Sequence, residues 1–235
     1  MPLIHIIFAI ILLAASFASY KTGKLTAGGA VMGGAVAGLI YLGTGFTGIA
    51  MLAAFFVLAT TATSHKKSQK RRLDKNDHQE KRDARQVLAN GGLPALLGLL
   101  AYIFPVNALL ATILMAAAFA AATADTLSSE LGTVYGRRFY NIITFKPEEK
   151  GRDGAVSLEG LLIGIAGSAI MAAIYAVSSH WDSILIYIII AGTIGNLADS
   201  VLGAALERKG LMNNNEVNFL NTFIAVATCC LLMYL

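Results

Sequence analysis

The sequence predicts an all-α, polytopic membrane protein, with about eight transmembrane helices in one bundle and residues 1–235 forming a single integral membrane domain. Three observations predict it. Hydrophobic residues make up 56% of the chain and charged residues 14%, against roughly 25% charged in an ordinary soluble domain. Apolar runs of about the 20 residues that a bilayer requires recur near 3–20, 28–44, 46–63, 88–104, 107–125, 158–178, 183–203 and 218–235. All 18 Lys and Arg lie in, or within a residue or two of, alternate loops near 21–27, 64–87, 126–157 and 204–217. The opposite loops, near 45, 105–106 and 179–182, carry none. By the positive-inside rule the basic side is cytoplasmic and both termini are outside. A cell (inner) membrane is the expected location, with the site facing the cytoplasm.

The first run ends in the small residues Ala15-Ser16-Phe17-Ala18-Ser19. No Lys or Arg precedes it, so it reads as a span rather than a secretory signal. Spans two and three carry Gly29, Gly33, Gly34, Gly38, Gly43, Gly45 and Gly48, and such spacing lets helix backbones approach closely in lipid. The loop 64–87 begins Ser64-His65-Lys66-Lys67 and reads, to about residue 80, as a solvated basic linker touching anionic lipid. Its end, Arg82 to Gly92, runs into span four with Arg85 and Asn90 near the membrane face. Asn90-Gly91-Gly92 at a helix head would leave N–H groups free for an anion; a plain helix start is the alternative.

Span five reaches polar ground at Ala124-Asp125-Thr126-Leu127-Ser128-Ser129-Glu130-Leu131-Gly132. A carboxylate at that depth is costly and marks a functional-site candidate. Asp125 with Ser129, and Thr126 with Glu130, form two helical stripes. The loop that follows (126–157) carries Arg137, Arg138 and an extended stretch from Ile142 to Pro147 containing Lys146. A turn from Glu148 to Gly154 and Ser157, placed to cap span six, complete it. Glycines, a basic residue and a helix N-terminus can hold phosphate, although the stretch is no Walker A loop. Span seven echoes span five with Asn196-Leu197-Ala198-Asp199-Ser200, its Asp199 flanked at four-residue steps by Gly195 and Gly203. Span eight opens with Glu216, Asn218, Asn221 and Thr222, polar groups that cost several kcal/mol in hydrocarbon unless satisfied.

These polar groups converge on the cytoplasmic ends of the spans. Carboxylates with amide and hydroxyl oxygens suit Mg²⁺, which binds through one or two carboxylates while gripping substrate phosphates. The candidate metal residues are Asp125, Asp199 and Glu216. Asp125, Asp199 and Lys146 are the catalytic candidates. Ser129, Glu130, Gly154, Ser157 and Arg137, with Arg85, Asn90, Asn196 and Asn218, are the further candidates for binding cofactor and substrate. His5, His65, His78 and His180 are scattered, Cys229 and Cys230 are adjacent in the last span, and no His-Glu-x-x-His, Cys-x-x-Cys or Gly-x-Ser-x-Gly occurs. This argues against zinc chemistry and a serine elbow. The net charge of +4 sits at the membrane surface, implying anionic headgroups or substrates rather than nucleic acid. The reaction suited to such a site is phosphoryl transfer between a soluble nucleotide and a lipid phosphate. The rival reading is a transporter of a small anionic or lipid substrate, whose site would lie near the midplane.

The motifs also carry a resemblance. Arg85 to Gly92, Ala124 to Gly132, Lys146, Gly154 to Gly160, Asn196 to Ala204 and Asn215 to Asn218 occur in order over almost the whole chain. Together they resemble the membrane family known as domain of unknown function 92, which includes transmembrane protein 19 and the phytyl-phosphate kinases. That family is distantly similar to polyprenol kinases and CDP-lipid synthases, which use CTP and Mg²⁺. The resemblance implies phosphoryl transfer from CTP, or another nucleoside triphosphate, to an isoprenyl monophosphate such as phytyl or geranylgeranyl phosphate. A CDP-lipid-forming cytidylyltransferase is the neighbouring alternative, and a homodimer is among the assemblies such a bundle allows. It implies metal-linked roles for Asp125 and Asp199, nucleotide phosphates at Lys146 and the loop from Gly154 to Ser157, and acceptor phosphate at Arg85 and Asn90. One departure is the charge pair in Gly151-Arg152-Asp153-Gly154, which alters nucleotide choice or caps the loop.

Overall fold

In chain order the helices are α1 (Leu3–Lys21), α2 (Ala27–Ser64), the single turn α3 (Lys67–Lys70), α4 (Ala84–Ile103), α5 (Ala108–Tyr135), α6 (Leu158–Ser178), α7 (Ile184–Ala205) and α8 (Asn214–Tyr234). A two-residue hairpin, β1 (Tyr140–Asn141) with β2 (Ala155–Val156), lies between α5 and α6 and pairs antiparallel. This computed structural model describes residues 3–70, 81–179 and 181–235. His78, His180 and the middle of the basic loop lie outside the described residues.

Helix α5 is the axis. Ala116, Ala117, Ala118, Ala120, Ala121 and Ala122 are all fully buried, with Phe119 among them. Methyl-sized side chains let neighbours close in on every side, and α2, α4, α6, α7 and α8 all pack on α5. By contrast α1 packs on α2 and buries none of its residues, as suits a helix bathed in lipid.

Seven described helices are long and apolar enough to cross a membrane. The eighth expected span is inside α2, which has 38 residues. Straight, it would hold its ends roughly 57 Å apart. Instead, Lys24 Nζ, just before the helix, donates to Ser64 Oγ at its end, 3.0 Å away. The reversal is at Gly45, whose φ of 60° and ψ of −141° lie in a region open essentially to glycine. The expected spans two and three are the two arms of this bend.

At the basic end of the bundle, neighbouring loops are tied together. Thr26 N–H donates to the Arg82 carbonyl, and Arg82 N–H to the Lys24 carbonyl, both at 3.1 Å. Three expectations change here. The start of the loop 64–87 is docked rather than solvated: His65 Nε2 meets Tyr135 OH at 2.8 Å, and Lys70 is 5% exposed. Helix α4 begins at Ala84, not near residue 88, because Asp83 and Gln86 form a reciprocal capping box. Asn90-Gly91-Gly92 therefore lies inside the helix and offers no free helix head. The extended segment falls at Tyr140–Asn141 rather than 142–147, because Asn141 Oδ1 accepts from the N–H groups of Ile143 (3.0 Å) and Thr144 (2.9 Å) and turns the chain.

Candidate functional site

The two aspartates meet. Asp125 on α5 and Asp199 on α7 line one cavity of about 180 Å³ and adjoin within it. Asp199 is steadied from α8: Asn221, itself fully buried, donates Nδ2 to Asp199 Oδ2 at 3.2 Å. The amide oxygen of Asn221 has no hydrogen-bond partner. Glycine brings the helices close enough for this. A Cβ at Gly164 of α6 would lie 2.7 Å from Asn196 Nδ2 and 3.1 Å from the Ala124 carbonyl.

The hairpin loop closes over the pair. Gly154 has φ +71°, and a Cβ there would lie 2.7 Å from the Ser200 carbonyl, so this position needs glycine for both conformation and space. Ser157 caps α6 as expected, its Oγ accepting from Gly160 N–H at 3.1 Å. Arg208 staples the loop, donating Nη1 to Glu148 Oε2 at 2.7 Å and Nε to the Asp153 carbonyl at 2.6 Å. Arg152 pairs with the other Glu148 oxygen at 3.2 Å. The Arg208 hydrogen bond, then that from Asn141, lowers the Glu148 carboxyl from its ordinary 4.5 to about 2. Arg152, through its side chain, and Asp153, through its carbonyl, are thus both built into the loop's closure.

This acidic chamber adjoins two others. On one side it shares Asp125, Ser129 and Asn214 with a cavity of about 470 Å³ lined by Lys24, Lys67, Lys70, Arg82, Gln86, Asn90, Glu130 and Asn218. There Lys70 Nζ donates to Glu130 and to the carbonyls of Ala62 (2.8 Å) and Thr63 (2.9 Å) at the end of α2. The amide oxygen of Asn90 is buried without a hydrogen-bond partner. On the other side the acidic chamber shares Ser128, Val156, Ser157, Asn196 and Ser200 with a groove of about 580 Å³ bounded by Arg137, Arg138 and Glu159.

Most expected site residues therefore gather: Asp125, Ser129, Gly154, Ser157, Asn196 and Asp199 around the acidic chamber, Asn90, Glu130 and Asn218 in the basic cavity, and Arg137 at the groove. Three do not line any of these cavities. Lys146 is exposed on the outer side of the hairpin turn. Arg85 is exposed on α4, where Gln86 and Asn90, four residues apart, line the basic cavity together with Arg82 from the segment just before the helix. Glu216 accepts the Asn213 N–H at 2.8 Å in the capping box of α8. No group of three His, Cys, Asp or Glu placed to hold a metal occurs among the described residues, so the expected trio with Glu216 is not assembled.

Among the described residues the acidic chamber presents four carboxylates, the adjoining Asp125 and Asp199 with Asp153 and Glu207, which the sequence motifs do not single out as site residues, together with amide and hydroxyl oxygens and neither thiol nor imidazole. That donor set fits Mg²⁺, which uses one or two carboxylates and completes its shell with water and phosphate oxygens. Its depth is informative. Counted from the opposite ends of their helices, Asp125 and Asp199 lie about 26 and 23 Å along, at 1.5 Å per residue. The midplane of a ~30 Å hydrocarbon core is about 15 Å in. The site is near the basic edge.

A polytopic helical bundle with a polar site at one edge is the class defined by these features. The chain belongs to the family described as Integral membrane protein DUF92, whose model matches residues 10–226. It is 36% identical over 228 residues to an uncharacterised membrane protein of Methanocaldococcus jannaschii, covering 94% of this chain and 92% of that one. It is 30% identical to Protein PGR of Arabidopsis thaliana over 89% of this chain and 81% of the relative. Protein VTE6, chloroplastic, from the same plant is 30% identical over 75% of this chain, and the match covers 56% of that protein. No solved structure matches the chain.

Proposed function

We propose that the protein is a Mg²⁺-dependent kinase that transfers a phosphoryl group from CTP, or another nucleoside triphosphate, to an isoprenyl monophosphate. The observation that carries this reading is the junction of an acidic chamber with a basic one through Asp125, Ser129 and Asn214. Four cations against two carboxylates in the basic cavity suit a polyphosphate, and the adjoining carboxylates suit its counter-ion. Family membership supports the lipid acceptor, since the family includes phytyl-phosphate kinases.

The acceptor is already an oxygen nucleophile. A phosphate-monoester oxygen forms a bond to the γ-phosphorus, the bond from that phosphorus to the β-bridging oxygen breaks, and the nucleoside diphosphate leaves. No general base is needed for a dianionic acceptor, so the residues act by positioning and charge. Asp125 and Asp199 would hold the metal, with Asn221 orienting Asp199. Bound there, Mg²⁺ supplies charge neutralisation for the phosphates. Lys24 and Arg82 hold phosphate oxygens, and the loop from Gly154 to Ser157 excludes water from above. The edge position of the site favours this reading over a transporter, whose substrate binds near the midplane.

The test is turnover by purified protein given CTP or ATP, Mg²⁺ and phytyl or geranylgeranyl phosphate. Diphosphate product is expected, and Asp125→Asn and Asp199→Asn should each abolish it while leaving a folded, monodisperse protein. Uptake of substrate into sealed vesicles without nucleotide consumption would overturn the kinase in favour of transport.

A further inference from the structure

We infer that the acceptor lipid enters from the bilayer through the groove between the basic ends of α6 and α7, its phosphate held by Arg137 and Arg138, while the nucleotide occupies the cavity of Lys24 and Arg82. This rests on the kinase reading and reverses the roles that the sequence motifs suggest, in which Arg85 and Asn90 hold the acceptor and the hairpin loop holds the nucleotide.

The two outer cavities differ in what they can accept. Among the described residues the basic cavity has no large apolar side chain on its walls, which are glycine, threonine, serine, asparagine, glutamine and charged groups. A prenyl chain would find nothing there to replace lipid. The groove is walled instead by Ile142, Leu158, Leu161 and Leu197, and its apolar surface continues along the outside of the bundle. Leu158 is 68% and Leu162 56% exposed one turn apart on α6, and Ile194 and Val201 continue the track on α7. An isoprenoid tail can lie along that track in contact with hydrocarbon throughout.

Charge separates the two in the same sense. Arg137 and Arg138 face a single Glu159 at the groove, enough for one phosphate monoester and less than a triphosphate needs. Arg137 is engaged only loosely, at 4.0 Å from Glu159, with its side chain 89% exposed. A guanidinium at the end of a membrane helix sits where lipid phosphates sit, and its planar donors match phosphate oxygens in pairs. The walls are also continuous. Ser128, Ser157, Asn196 and Ser200 border both groove and acidic chamber, so a phosphate at the groove's inner end faces Asp125 and Asp199. The acidic chamber then stands between acceptor and donor.

The experiment uses the full chain in phosphatidylcholine nanodiscs and a geranylgeranyl monophosphate carrying a photoreactive diazirine in its tail, with labelled peptides mapped by mass spectrometry. Label is expected on α6 and α7 around Leu161 and Leu197. Excess unlabelled geranylgeranyl phosphate should remove it, and inorganic phosphate should not. Replacing both Arg137 and Arg138 with alanine should weaken labelling and raise the acceptor KM by about tenfold or more, with the nucleotide KM unchanged. Arg82→Ala should do the reverse. Label on residues 60–64 or 82–90, no specific label anywhere, or equal displacement by phosphatidic acid would overturn the assignment. A nucleotide KM that rises with the loss of Arg137 and Arg138 would also overturn it. Labelling needs no turnover, so label in the groove without phosphoryl transfer would sink the kinase alone. Turnover with label elsewhere would sink the groove alone.

Discussion

Replacing Lys70 with methionine and Glu130 with glutamine, singly and together, tests how the basic loop is fastened to the bundle. Lys70 Nζ serves three acceptors: Glu130 and the carbonyls of Ala62 and Thr63. Its side chain is 6% exposed and that of Glu130 21%, so the pair is largely desolvated. Removing one member of a buried pair costs about 3–5 kcal/mol, because the other charge is left without compensation. In Glu130→Gln, Lys70 keeps two carbonyl acceptors and the glutamine oxygen, which lowers the expected loss to about 2–3 kcal/mol. Lys70→Met leaves Glu130 uncompensated and two carbonyls unpaired, for about 3–4 kcal/mol. The double variant should lose less than the sum, giving a coupling of about 1–2 kcal/mol. Reversible unfolding of the four proteins in mixed micelles, titrated with dodecyl sulfate, measures the cycle. A coupling below about 0.5 kcal/mol would refute the pair as a fastening and return Lys70 to the solvated linker.

Two further outcomes are expected besides the losses at Asp125 and Asp199. Gly164→Ala should destabilise by about 1–3 kcal/mol through overpacking against Asn196 and the Ala124 carbonyl, whereas Gly38→Ala, with nothing within 4 Å of its Cβ, should gain up to about 1 kcal/mol of helix propensity. Similar midpoints for the two in the same unfolding assay would contradict the close approach of α5 and α6. Because the folded Glu148 carboxyl titrates at about 2 and the free one at 4.5, its contribution is complete above about pH 4.5 and is lost as pH falls toward 2. Amide exchange in residues 148–154 should stay slow at pH 5, accelerate beyond its intrinsic pH dependence toward pH 2, and already be fast at pH 5 in Arg208→Met.

Much of this could be read from the chain because it depends on local pattern or on the cost of burying charge. Asp125 and Asp199 stand out for their depth in apolar runs, and the structure brings them together. Ser157 has a capping residue's position and caps. Other features were legible but require a different rule. Asp83 to Gln86 and Asn213 to Glu216 have capping-box spacing, which moves the start of α4 and commits Glu216 to its own helix. Stepping back one turn from Asn90 reaches Gln86 rather than Arg85, while Arg82, before the helix, is placed by its backbone hydrogen bonds with Lys24 and Thr26. Lys70 belongs to a third kind. Its burial depends on Glu130, sixty positions away, and nothing in a run of basic residues distinguishes the one that turns inward. Gly45 is the opposite case: a loop near 45 is expected between two apolar runs, and the structure compresses it into one glycine with φ 60° and ψ −141°.

The alanines of α5 bear on how such a site could move. A helix whose middle is mostly alanine around a fully buried Phe119, and is packed against five neighbours, cannot turn or slide without opening gaps against all of them at once. Asp125 is therefore held on the helix of the bundle that has least freedom to move. What closes over it is the hairpin, and that closure rests on Arg208, which binds both the Glu148 carboxylate and the Asp153 carbonyl.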